Sequence, residues 1–170
     1  MPLIHGGIQD AGRRAGAEIV PAIVGLGKAS EPAAEELPEK MKCLRELRKA
    51  LVAGIHNKIK RVKHTGHPEK RLPGHASFCI EAVEGESLIL MLNQEGIYGN
   101  TGSACASKAL KTSPVLVAIG TPADPAQESI VFTLDATDTK EEVEYVLEKL
   151  PLTVAKLRAL SPIWTEKSAA

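Results

Sequence analysis

The sequence predicts an α/β fold of the α+β sandwich kind, a short sheet covered by helices. Three observations lead there. Apolar residues recur at steps of three and four in two long segments: Met41, Leu44, Leu47, Leu51, Ile55 and Ile59 in the first, Val143, Val146, Leu147 and Leu150 in the second. Short β-forming runs stand between them, "HASFCIEA" (75–82) and "ESIVFTLDA" (128–136). Hydrophobic residues make up 44 % of the 170, yet only 3 % are aromatic, so the core must be built from Leu, Ile, Val and Ala.

The elements follow in order. Residues 1–16 are glycine-rich without a period and read as a loop. "EIVPAIVGLGKAS" predicts a short buried helix, with Pro21 tolerated in its first turn. Ser30 has the chemistry of an N-cap, with Pro32 just after it, and Pro38 marks the start of the regular helix. Cys43, beside Leu44, belongs to that helix's packing. "IKRV" (59–62) runs from the helix end into a short strand, and Cys79, between Phe78 and Ile80, is a structural thiol. "EGESLILMLNQEG" is a compact helix stopped by Gly96. "IYGNTG" begins as a strand and opens into a loop. Ser113 and Pro114 cap the short helix "SPVLVAIG", ended by Gly120. Thr139 and Glu142 form a capping box, Pro151 kinks or breaks the last helix, and Val154, Leu157 and Leu160 resume its pattern. The sequence contains no internal repeat and no low-complexity tract.

Charge and cysteine usage exclude several classes of function. The 21 basic and 21 acidic residues balance, which argues against a nucleic-acid partner. The basic run "KRVKHTGHPEKR" (60–71) reads as a solvated loop. No run is long enough to span a bilayer, and the start lacks the pattern of a secretory signal. Cys43, Cys79 and Cys105 form no C-x-x-C pair, so neither a zinc site nor a dithiol motif is indicated. Reduced thiols fit a cytoplasmic setting. His64, His67 and His75 lie around a turn without a carboxylate or thiol at ligand spacing, so no metal is expected.

The stretch "GNTGSACASKAL" (99–110) carries the chemistry. Cys105 sits among Gly, Ser, Ala and Thr, with no bulky neighbour, which suits an exposed sulfur on a mobile tether. A thiol acts as a nucleophile in its thiolate form, which a nearby helix N-terminus such as the one opening at Ser113 favours. The sequence near Cys105 offers no general base; His75 is the nearest histidine.

"TGSACAS" resembles the active-site loop of the NifS-like cysteine desulfurases of the class V aminotransferase family. "HGGIQDAGRRAGAEIVPAIVGLGKA", "LPGHASFCIEAVEGESLILML" and "LRALSPIW" resemble family stretches in the same order, over nearly the whole chain. The resemblance implies a homodimeric, fold-type I enzyme that uses pyridoxal phosphate to take sulfur from L-cysteine, leaving L-alanine. It implies that Cys105 is the catalytic nucleophile and persulfide carrier, handing sulfur to an iron–sulfur scaffold or a thiolation partner. It divides the chain into 1–17, a remnant loop of the large cofactor domain, and 18–170, the small C-terminal domain carrying the mobile cysteine loop (99–112).

The sequence departs from the family at three places. Only "MPLI" precedes the "HGG" motif, so the Schiff-base lysine and the aspartate facing the pyridine nitrogen are not in this chain. Lys108 could stand in for that lysine, with nothing to support it. Val131 stands at the family's substrate-carboxylate arginine, and Asp135 and Ala136 replace a Gly-Arg pair. Ala17 replaces the threonine that contacts the cofactor phosphate. Ile8, Asp10 and Ala11 also differ, while Arg13, Arg14 and Gly16 remain. The expectation is a chain that is not catalytic and does not bind pyridoxal phosphate alone. Its expected partners are the missing large domain or a full-length desulfurase, a scaffold or sulfur acceptor, and a second copy of itself. Two alternatives are a non-enzymatic sulfur-relay module and a desulfurase- or scaffold-binding module. An exposed apolar surface is expected where the large domain would pack.

Overall fold

A computed structural model describes residues 1–2, 4–101, 113–122 and 127–164. The chain divides into two compact units, Met1–Pro38 and Glu39–Ala170. Helix α1, Val20–Lys58, runs through the boundary.

The first unit begins as the expected loop, with a single 3-10 turn at Asp10–Gly12. Gly12 and Gly16 take φ of +74° and +104°, where a side chain would be strained. The Gln9 side-chain oxygen accepts from the Gly16 N–H at 3.3 Å, closing the loop. Pro21 falls in the first turn of α1, as expected. The helix is not buried, however: Ile19, Val20, Ile23, Val24 and Leu26 are all more than half exposed. Nor does Ser30 start a second helix. Its hydroxyl donates back to the Leu26 carbonyl at 2.8 Å, the bond a serine makes inside a helix. Pro32 and Pro38 each delete one N–H donor, but Ala, Glu and Lys around them are strong helix formers, and one helix of 39 residues results.

The second unit is built on an antiparallel sheet of strands β1 (Val62–His64), β2 (His75–Ile80) and β3 (Ser129–Thr133), in the order β1-β2-β3. Ala76 lies opposite Phe132 and Phe78 opposite Ile130, so these side chains share one face with Ile80. That face is the core. Leu47, Leu51 and Ile55 of α1 join it, with Leu88 and Leu92 of α2 (Gly85–Gln94) and Leu150 and Val154 of α4 (Lys140–Leu160). The helices cover the sheet as predicted, and Gly96, at φ +74°, follows the end of α2. The opposite face carries His75, Ser77, Cys79, Ser129, Val131 and Thr133, paired across β2 and β3. Helix α3 (Pro114–Ala118) rests there, capped by the Ser113 hydroxyl, with Leu116 against Cys79. "IYGNTG" contributes one bridge, Asn100 to Val131, rather than a full strand.

Helix α4 has the predicted capping box, but Pro151 neither breaks nor ends it. The missing Pro151 N–H would have bonded the Leu147 carbonyl, four residues back. The Lys58 ammonium donates to that carbonyl instead, at 3.0 Å. Leu150 and Val154, on either side of the proline, are buried and hold both halves to the core. We expect Lys58→Met to cost about 1 kcal/mol. The cost should vanish in a Pro151→Ala background, where the helix supplies its own donor. A double-mutant cycle by urea denaturation measures the coupling. At the far end of α4, Arg158 donates to the Lys60 and Glu81 carbonyls and lies 3.9 Å from the Trp164 ring centre. Among the described residues, no helix is long and apolar enough to cross a membrane.

Candidate functional site

The face of the sheet opposite the core opens into a cavity of about 730 Å³. His75, Ser77, Val131 and Thr133 form its floor, α3 one wall, and the turn from Thr65 to Arg71 another. Asn100 and Thr101 line a further side.

Arg71 holds the turn together. Its Nε donates to the His67 carbonyl at 2.6 Å, its Nη1 to the His75 carbonyl at 3.4 Å, and its Nη2 to the Thr65 carbonyl. The Thr65 hydroxyl then donates to Ser77 Oγ at 2.7 Å, tying the turn to β2. Gly66 takes φ +78°, and a Cβ there would lie 3.1 Å from Arg71 Nη2, so both its backbone and its neighbour favour glycine.

Arg71 Nη1 also lies 2.6 Å from His64 Nε2. A guanidinium can only donate, so Nε2 must be the acceptor of a neutral imidazole protonated on Nδ1. The ring stacks at a tilt on Phe78, with centroids 5.1 Å apart. Burial first, then the charges of Arg71, His56, Arg48 and His75, push the His64 pKa down to about 4. His75 is pushed down as well, chiefly by burial and then by Arg71. Between pH 6.5 and about 4 the unfolded chain therefore binds a proton at His64 that the folded chain does not. Stability should fall as pH drops through that window. His64→Gln, which keeps an acceptor for Arg71 and removes the titration, should flatten the fall in urea midpoints measured against pH.

The predicted site residues fall in different places. Cys105, like Lys108, lies outside the described residues. Thr101 and Ser113, which flank residues 102–112 in the chain, both line the cavity, and so does Val131. Ala17 is exposed in the first unit. Asp135 sits in an exposed turn, where the Ala136 N–H and the Thr137 hydroxyl hold its carboxyl below the usual range. Cys79 is 4 % exposed beneath Leu116, and burial, with the nearby Glu128 charge, pushes its thiol pKa up, so it is inert. Cys43 is half-buried and packs on the core.

Sequence reading missed Arg71, His75 and Asn100 as parts of a site. The basic run ending at Arg71 read as a solvated loop, whereas Arg71 folds inward onto three carbonyls that no spacing rule reveals. Among the described residues, no group of three or more His, Cys, Asp or Glu is placed to hold a metal ion. Nor do the cavity residues fit pyridoxal phosphate. Among its described residues Lys70 is the one lysine, and none is a carboxylate that could face a pyridinium nitrogen.

Residues 7–146 match the family model described as aminotransferase class-V. The chain is 45 % identical over 166 residues to the cysteine desulfurase IscS of Clostridium botulinum, covering 96 % of this chain and 42 % of that protein. It is 47 % identical over 162 residues to the IscS of Methanosarcina thermophila, covering 95 % and 40 %. Among solved structures, a NifS-like protein superimposes with a TM-score of 0.74 at 35 % identity, over 91 % of this chain and 39 % of that one. The chain thus spans about 42 % of the length of the relatives it matches.

Proposed function

The chain belongs to the class V aminotransferase family, and from that premise we propose that it is the C-terminal part of a cysteine desulfurase. In this reading residues 1–17 end the large cofactor domain and 18–170 form the small domain. The observation that carries it is the match over residues 7–146, with 45–47 % identity to proteins named as cysteine desulfurases. In the reaction the C–S bond of L-cysteine breaks and an S–S bond forms on Cys105. L-Cysteine and one thiol become L-alanine and one persulfide, with no external oxidant or reductant. Pyridoxal phosphate supplies electron withdrawal for C–S cleavage when bound. Residues outside this chain bring its lysine and acid partner.

The chain's own part is to carry the sulfur. Cys105 stands four residues after Thr101, a reach of at most ~14 Å of extended chain from the cavity wall. The two other thiols are packed away. The persulfide then passes to an iron–sulfur scaffold or a thiolation acceptor, in the cytoplasm. The exposed ridge of Ile19, Val20, Ile23, Val24 and Leu26 supports a covering partner, the large domain or a complete desulfurase. That ridge also favours a second reading, a docking module without sulfur chemistry.

The test supplies the purified chain with pyridoxal phosphate and L-cysteine. No alanine is expected from the chain alone. Alanine production would overturn the assignment of the cofactor lysine to residues elsewhere. Binding to a complete desulfurase that brings no sulfur to the chain would favour the docking module.

A further inference from the structure

The cavity beside β3 carries an unbalanced charge. Lys70 and Arg71 line it together with His67 and His75, and none of the described residues lining it is acidic. Arg71 is half-buried, and among the described residues its partners are three backbone carbonyls and the His64 ring, all neutral. A half-buried guanidinium with no counter-ion is costly, and an anion in the cavity would relieve that cost. Among the described residues, the charge acting on Arg71 is another cation, Arg48. The rest of the wall is mixed: Val131, Leu116 and Ile119 are apolar, and Asn100, Thr101 and Ser113 are polar and uncharged. The volume, about 730 Å³, falls within the range of small-ligand sites.

The donor count narrows the ligand. Arg71 has five N–H groups, and four are taken by the acceptors just named. One N–H on Nη2 remains, with the three of the Lys70 ammonium. Two donor groups suit the two oxygens of a carboxylate better than a phosphate dianion. With no acid among the described residues of the wall, a free ammonium on the ligand meets Lys70 and Arg71 without a carboxylate to pair with.

We propose that this cavity binds a small organic carboxylate with an uncharged or apolar remainder, its oxygens taken by Arg71 and Lys70 and its carbon skeleton by Val131 and α3. The inference stands without the sulfur chemistry proposed above, because it rests only on the cavity's charge and donors.

The test is an NMR titration of the intact chain, following the amides of Gly66, Arg71, Asn100 and Thr101. N-Acetyl-L-alanine should give saturable shifts at these positions. N-Acetyl-L-alaninamide, the same skeleton without the charge, should give none, and L-alanine should bind more weakly than the acetylated acid. Val131→Glu places a carboxylate in the cavity without touching the bonds of Arg71, and should weaken binding about tenfold or more, as the loss of one charge-assisted hydrogen bond does. Lys70→Gln, at an exposed position, should weaken it in the same direction and leave the fold unchanged. Equal shifts from the acid and the amide would overturn the proposal. So would saturation by inorganic phosphate alone, or full affinity in both variants. Because the readout is binding, a chain that never receives sulfur on Cys105 still answers the question.

Discussion

Replacing Phe78 with alanine is expected to cost about 3–5 kcal/mol, a large share of the ~5–15 kcal/mol that holds a domain folded. Phe78 has no exposed surface and lies at the centre of β2, the middle strand. It faces Ile130 across the pairing with β3 and touches the rings of both His64 and His56. Its removal leaves a cavity bounded by two strands that cannot move together without losing their ladder. The aliphatic core has few other large groups to fill the space, since the chain holds only two phenylalanines. A shift of the urea midpoint with unchanged slope is the expected reading. His64 would also lose the surface that keeps it neutral, so the pH dependence below 6.5 should weaken in the same variant.

Gly85→Ala should cost about 1–3 kcal/mol, although alanine is the better helix former. Gly85 opens α2 where the helix meets β3. A Cβ there would press on the Ser129 carbonyl oxygen and lie 3.0 Å from Thr101 Cγ2 and 3.2 Å from the Gln127 carbonyl oxygen. Two of these neighbours are backbone and cannot rotate away. Thr101 also lines the cavity, so the strain should reach the site as well as the core. Chemical denaturation gives the cost, and shifted amide signals at Thr101 and Ser129 locate it. An unchanged midpoint would mean that α2 can slide off β3 freely.

The elements were legible wherever local chemistry decided them. The period of Leu47, Leu51 and Ile55, the Thr139–Glu142 box and the Ser113–Pro114 start each need only a few neighbouring residues. The prolines misled because their effect depends on distant groups. Pro151 keeps its helix because Lys58 reaches the freed Leu147 carbonyl, and Pro32 and Pro38 because strong helix formers surround them. The first turns of α1 are exposed although their sequence is apolar, because an apolar run does not say what covers it. The Cys105 motif behind the proposed sulfur chemistry is legible in the sequence, whereas the cavity is not: its cationic wall depends on a turn folding Arg71 back onto β2.

In the proposed reaction Cys105 accepts sulfur. The chain, incubated with a complete cysteine desulfurase, pyridoxal phosphate and isotope-labelled L-cysteine, then alkylated and digested, reveals which thiol gained a sulfur atom by mass spectrometry. Label is expected on the peptide containing Cys105 and none on those containing Cys43 or Cys79, with all label lost in Cys105→Ser. Equal label on the three cysteines, or label that survives Cys105→Ser, would contradict it.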